Sequence, residues 1–126
     1  MEGVGYAVIS NAASNLSVKL LSYSKNIYFS DIFRTINLEN DIEIIKLLLD
    51  DIDTQNSKKY IKKCVEHINL TLEGIDKEID KIYKKIIQLQ YKEQFNYYTT
   101  NVDNIKKLKT ILDHQFKVLL RLLSIK

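Results

Sequence analysis

Cys64 and His67 stand three residues apart, and His114 is the only other histidine in the chain. A thiolate and two imidazoles are ligand types that zinc selects. The pattern stops at half a site, because no second Cys or His pair completes it. On a helix, His67 also falls about 60° around from Cys64. As a nucleophile, Cys64 needs a histidine held against it and an oxyanion hole, and no glycine-rich strand-to-helix turn is present to build one. Neither His-Glu-x-x-His nor the paired Glu-x-x-His of di-iron bundles occurs. The expectation is a protein with no metal, no cofactor and no catalytic residue, and therefore not an enzyme.

Lys58, Lys59, Lys62 and Lys63 form the densest basic cluster. At the start of a helix, four ammonium groups beside unpaired amide N–H groups would attract a phosphate, so an anion site is one reading. The competing reading uses Asp50, Asp51 and Asp53 just upstream. Each cluster opposes the dipole of its own helix, and a short turn lets each neutralise the other. Tyr91, Phe95, Tyr97 and Tyr98, with Lys92 among them, give a third group. Exposed, these rings would stack on bases or anchor a partner. The preferred alternative has them closing the end of a helical bundle, with their hydroxyls reaching water.

The elements that would carry these residues are helices. The 126-residue chain has no proline and three glycines, two of them at positions 3 and 5. Few punctuators of strands and tight turns are therefore left. The strongest periodicity spans 57–97, where Ile61, Ile68, Ile75, Ile82 and Leu89 interleave with Val65, Leu72, Ile79 and Ile86. Alternating steps of three and four predict one long helix, roughly 60 Å if unbroken. Gly74 is where it would kink, although the seam keeps its phase there. Further helices are predicted over 6–23, from Ser30 or Asn37 to about 53, and from about 101 to the C-terminus, the last with Thr100 and Asp103 as an approximate capping box. The expected fold is all-α: a single domain over 1–126, an antiparallel up-and-down bundle of about four helices. The long central helix is its spine, with the last helix packed along its C-terminal part and the second along its N-terminal part.

One cysteine excludes an internal disulfide, and residues 1–5 lack a basic signal-peptide start. No run approaches the ~18 apolar residues of a membrane span, so an intracellular, reducing location is expected. The sequons at Asn15 and Asn69 fall in predicted helices and are read as chance. Residues 1–56 carry four basic and eight acidic side chains and residues 57–126 carry fifteen and eight, giving −4 and +7 within the overall +3. On the long helix the lysines alternate with an acidic stripe at Glu66, Glu73 and Asp80, which argues against a groove that tracks phosphates.

More informative is surplus apolar surface. From Phe116 to Ile125 only Lys117, Arg121 and Ser124 are polar, a wider apolar arc than one core face needs. The second helix repeats this with Ile44 and Leu47 among its aliphatics. These features point to a helical protein–protein interaction or assembly module that self-associates, with a protein partner or a second copy covering the surplus. Leu119, Leu120, Leu122 and Leu123 are the expected contacts, with Tyr97 and Tyr98 as further candidates. A membrane-surface bundle using the basic C-terminal helix is the alternative, and weak nucleic-acid binding the second alternative.

Overall fold

The computed structural model describes the backbone of residues 2–53 and 55–124, and the side chains of residues 12–53 and 55–124. The fold is all-helical, with five helices in the described residues and no strand among them. They are α1 (Glu2–Tyr23), α2 (Ile27–Thr35), α3 (Leu38–Asp51), α4 (Lys59–Ile86) and α5 (Tyr91–Leu123). Of the two starts expected for the second helix, Asn37 is the one that opens α3, and residues 27–35 form a further helix, α2. Asn26 starts α2, its Oδ1 accepting from Tyr28 N at 2.9 Å. The chain breaks again at Asn37, whose φ of 54° is left-handed. Asparagine tolerates that conformation better than other non-glycine residues. Its side chain ties the junction, accepting from Asn40 Nδ2 at 3.1 Å and donating to Asp41 at 3.2 Å.

In α4 the predicted seam is the buried face: Ile61, Val65, Ile68, Leu72, Ile75, Ile79, Ile82 and Ile86 all point into the core. At about 2 kcal/mol per buried aliphatic side chain, this stripe outweighs the modest cost of Gly74 within the helix, and α4 passes Gly74 unbroken. The break comes later than Gly74, and the single long helix over 57–97 is not formed. The chain turns at Ile87–Gln90 without glycine or proline. Backbone bonds from Gln88 N and Leu89 N close the turn, and Gln94 reinforces it, its Nε2 donating to the carbonyls of Ile86 and Leu89, each at 3.1 Å. The Ile86 carbonyl also accepts from Leu89 N at 3.1 Å, so the amide adds a second bond there and a first one at Leu89.

The last helix accordingly begins at Tyr91, ten residues before the expected start. Thr100 lies inside it and donates its hydroxyl back to Asn96 O at 2.8 Å, rather than capping. Such back-bonding is the usual fate of a threonine within a helix.

Packing is most extensive between α4 and α5, then between α1 and both α3 and α4. The α4 and α5 helices run in opposite directions: Gln94 meets Ile86, Asn104 meets Glu78 at 3.2 Å, and Leu108 lies beside Gly74. By contrast α1 lies along α4 in the same direction, since Lys19 pairs with Asp76 at 2.9 Å and Tyr23 with Asp80 at 2.9 Å. The neighbours of α4 are therefore chiefly α5 and α1, whereas α3, expected along its N-terminal part, packs mainly on α1. One apolar core draws residues from all five helices. No helix among the described residues is long and apolar enough to cross a membrane.

Candidate functional site

Because α4 and α5 run in opposite directions, the start of α4 meets the end of α5. Tyr60, Lys63 or Cys64, and His67 recur every three or four residues beside the buried seam, so they line one edge of α4. Leu122, one turn beyond the core residue Leu119, closes the opposite wall. Together with Lys59 they enclose an open groove of about 560 Å³. Tyr60, the half-buried Cys64 and Leu122 give it apolar lining, and Lys59 and Lys63 give it positive charge. Leu120 and Leu123 add exposed apolar surface on the same last turns of α5.

The expected contact residues divide here. Leu122 lines the groove, and Leu120 and Leu123 stand exposed, but Leu119 is 0% exposed and belongs to the core. It sits on the inward stripe of α5 with Val102, Ile105 and Leu112, so it is not a surface contact.

Tyr97 and Tyr98 are likewise not free surface, since both pack against the core. The Tyr98 ring lies 5.1 Å from that of Tyr28 on α2, and its hydroxyl donates to Asp31 at 3.2 Å. Burial, with the Asp31 carboxylate beside it, pushes its pKa up to about 12. Tyr98 thus ties α5 to α2 through Asp31, whereas the expectation from the sequence has its hydroxyl reaching water. Tyr91 and Phe95 are the exposed members of that aromatic group.

The lysine cluster also divides. Lys59 and Lys63 line the groove, while Lys58 and Lys62 are not among its lining residues. Lys63 pairs with Glu66 at 3.4 Å, an exposed i,i+3 contact of little energetic weight. Asp53, one of the three carboxylates just upstream of these lysines, organises the turn. It accepts from Gln55 N at 3.1 Å and from the Asn56 amide, and its carbonyl accepts from Ser57 Oγ at 2.6 Å. The Asn56 hydrogen bond holds its carboxyl below the ordinary range.

Cys64 and His67 do share the groove, and His114 is not among its lining residues. Among the described residues no group of three His, Cys, Asp or Glu side chains is placed to hold a metal ion. Asn69, acceptor of the second sequon, is buried. A smaller hollow of about 240 Å³ at the α2–α3 junction is lined by Ser30, Phe33, Arg34, Asn37, Glu39 and Asn40.

Two polar groups escaped sequence reasoning. Lys109, only 4% exposed on the core face of α5, lies 2.6 Å from both Asp41 of α3 and Asp113. Tyr23 stacks on Tyr83, with ring centres 3.8 Å apart and planes 9° from parallel. Burial and the Asp80 carboxylate raise the Tyr23 pKa to about 12. The Asp80 carboxyl is held low by Lys84 at 2.8 Å. The i,i+4 spacings of Lys109 with Asp113 and of Asp80 with Lys84 were visible in the sequence, but nothing there marked either as pinning another helix.

No protein-family model matches the chain, and no curated protein or solved structure is significantly similar to it.

Proposed function

We propose that this five-helix bundle is a non-enzymatic protein-interaction module whose α4–α5 groove receives an amphipathic helix with carboxylates along the edges of its apolar ridge. The observation that carries the reading is one open groove lined by both apolar side chains (Tyr60, Cys64, Leu122) and basic ones (Lys59, Lys63). Helix-in-groove recognition uses that form, with apolar anchors at i, i+3 or i+4 supplying affinity and rim charges supplying selectivity. A reducing compartment belongs to this reading, since it keeps the Cys64 thiol in the groove unoxidised.

The test is binding, by fluorescence anisotropy, of two helical peptides with the same leucine ridge, one edged by glutamates and one by lysines. The glutamate-edged peptide should bind several-fold more tightly, weaken as salt rises, and lose affinity on Leu122→Glu. Equal binding of the two peptides would overturn the reading. Flotation of the protein with anionic vesicles, alongside failure to bind either peptide, would assign the groove to membrane surfaces instead.

A further inference from the structure

The other half of such an interface is present on the same chain. The α3 helix buries Leu38, Ile42, Ile45 and Leu49 in its own core and turns Ile44 and Leu47 outward, 52% and 60% exposed. Three residues apart, these two side chains stand on one face as a short apolar ridge. Glu39, Glu43 and Asp51 are exposed on the same helix, and Lys46 is its only basic residue. The described side chains of α1, which also exposes Val18 and Leu21, include no acid. Leu70 on α4 is flanked by Glu66 and Glu73 but has no second exposed apolar residue one turn away. Of the exposed apolar pairs in α1 and α3, only that of α3 therefore carries the charge sign that the groove selects.

We infer that the occupant of the α4–α5 groove is α3 of a second copy of this chain, so that copies join head to tail. The inference rests on the groove reading above. Ridge and groove lie on opposite sides of the charge division, in the −4 segment 1–56 and the +7 segment 57–126. Copies thus attract through unlike surfaces and repel through like ones. Because ridge and groove are different surfaces, the contact is heterologous. Every copy added leaves one free ridge and one free groove, and assembly continues to a ring or a filament rather than stopping at a symmetric dimer.

The experiment is light scattering on a sizing column, across concentrations up to about 1 mM so that weak association is covered. It uses the wild type, the ridge variant Ile44→Gln/Leu47→Gln and the groove variant Lys59→Glu/Lys63→Glu. All four positions are exposed, and circular dichroism confirms that each variant stays helical. The wild type should grow past a dimer as concentration rises, and each variant alone should remain at the 14.8 kDa of one chain. An equal mixture of the two variants retains one intact ridge and one intact groove, so it should form a species of about twice the single-chain mass and nothing larger.

A wild type that stays monomeric throughout overturns the inference. So does one that halts at a dimer whose variants fail to complement each other. If the glutamate-edged peptide still binds in either case, the interaction reading stands and only the identity of the occupant falls. If the peptide fails as well, both fall together.

Discussion

Lys109 of α5 places its Nζ 2.6 Å from Asp41 of α3, 68 residues earlier in the chain, with 4% of its side chain exposed. A second carboxylate, Asp113, sits equally close from the next turn of α5. Burial alone would lower the pKa of this lysine. The hydrogen bonds to Asp113 and Asp41 more than offset that, and the net shift is upward from 10.5. Removing one partner leaves a buried charge poorly compensated, so Asp41→Ala should cost about 2 kcal/mol, discounted for the partial exposure of Asp41. Replacing the charge itself, as in Lys109→Met, should stay within about 1 kcal/mol of wild type. Urea midpoints measure both.

The same group sets a pH dependence. Its folded-state pKa lies above the unfolded value, so the contribution is fully present below about pH 10.5 and is lost as pH rises through the folded pKa. Thermal melting followed into the alkaline range should fall more steeply for wild type than for Lys109→Met. Parallel curves would show that the triad contributes nothing to the alkaline limb.

Tyr23 offers a spectroscopic counterpart. With its pKa raised from 10.0 to about 12, the folded state resists forming tyrosinate, and the stability involved is lost between those two values as pH rises. In an absorbance titration, Tyr23 and Tyr98 should ionise near pH 12 rather than at the ordinary 10.0. Asp80→Asn removes the neighbouring negative charge and should bring Tyr23 back towards its ordinary range.

Gly74 is a candidate for stabilisation. A Cβ there would lie 3.7 and 3.8 Å from the Leu108 methyls, ordinary van der Waals contact, and the backbone is helical. Gly74→Ala should therefore raise stability by about 1 kcal/mol, visible as a higher melting temperature.

Gln94 reinforces the turn between α4 and α5. Its amide donates two hydrogen bonds to helix-end carbonyls, so Gln94→Ala should cost about 1–2 kcal/mol. Amide hydrogen exchange should quicken around residues 86–90 before it does in the middle of either helix.

The core stripe of α4 was legible because a period fixed by helix geometry repeats eight times, and one disruptive residue does not erase it. The end of that stripe was legible too, but only by asking what continues it. Carried past Leu89, the same series falls on Glu93, Asn96, Thr100 and Asp103, so the register resets. Gly74 drew attention because glycine is a familiar breaker, whereas the actual break is reinforced by a glutamine amide four residues into the next helix. The break at Asn37 was half legible: asparagine marked a boundary, but nothing local showed that residues 27–35 form a helix of their own. In the groove, Leu122 and the lysines were nameable as types. Their convergence with Tyr60 and Cys64 depends on how α4 and α5 align, which the missed turn decides. Leu119 is not the surface contact expected of it: it continues the seven-residue series Ile105 and Leu112 on the buried stripe, while Leu120 and Leu123 are exposed and Leu122 packs at the edge of the core.

The alignment of α1 with α4 bears on the order in which the molecule assembles. Tyr23 and Asp80 are 57 residues apart, whereas the α4–α5 pairing begins across eight residues at Ile86 and Gln94. Closing the short loop costs far less chain entropy, so the α4–α5 hairpin is the natural nucleus and α1 docks on it afterwards. Weakening the Tyr23 contacts should then quicken unfolding while leaving the refolding rate nearly unchanged, and Gly74→Ala should speed refolding. Stopped-flow chevrons of the two variants read those two limbs separately.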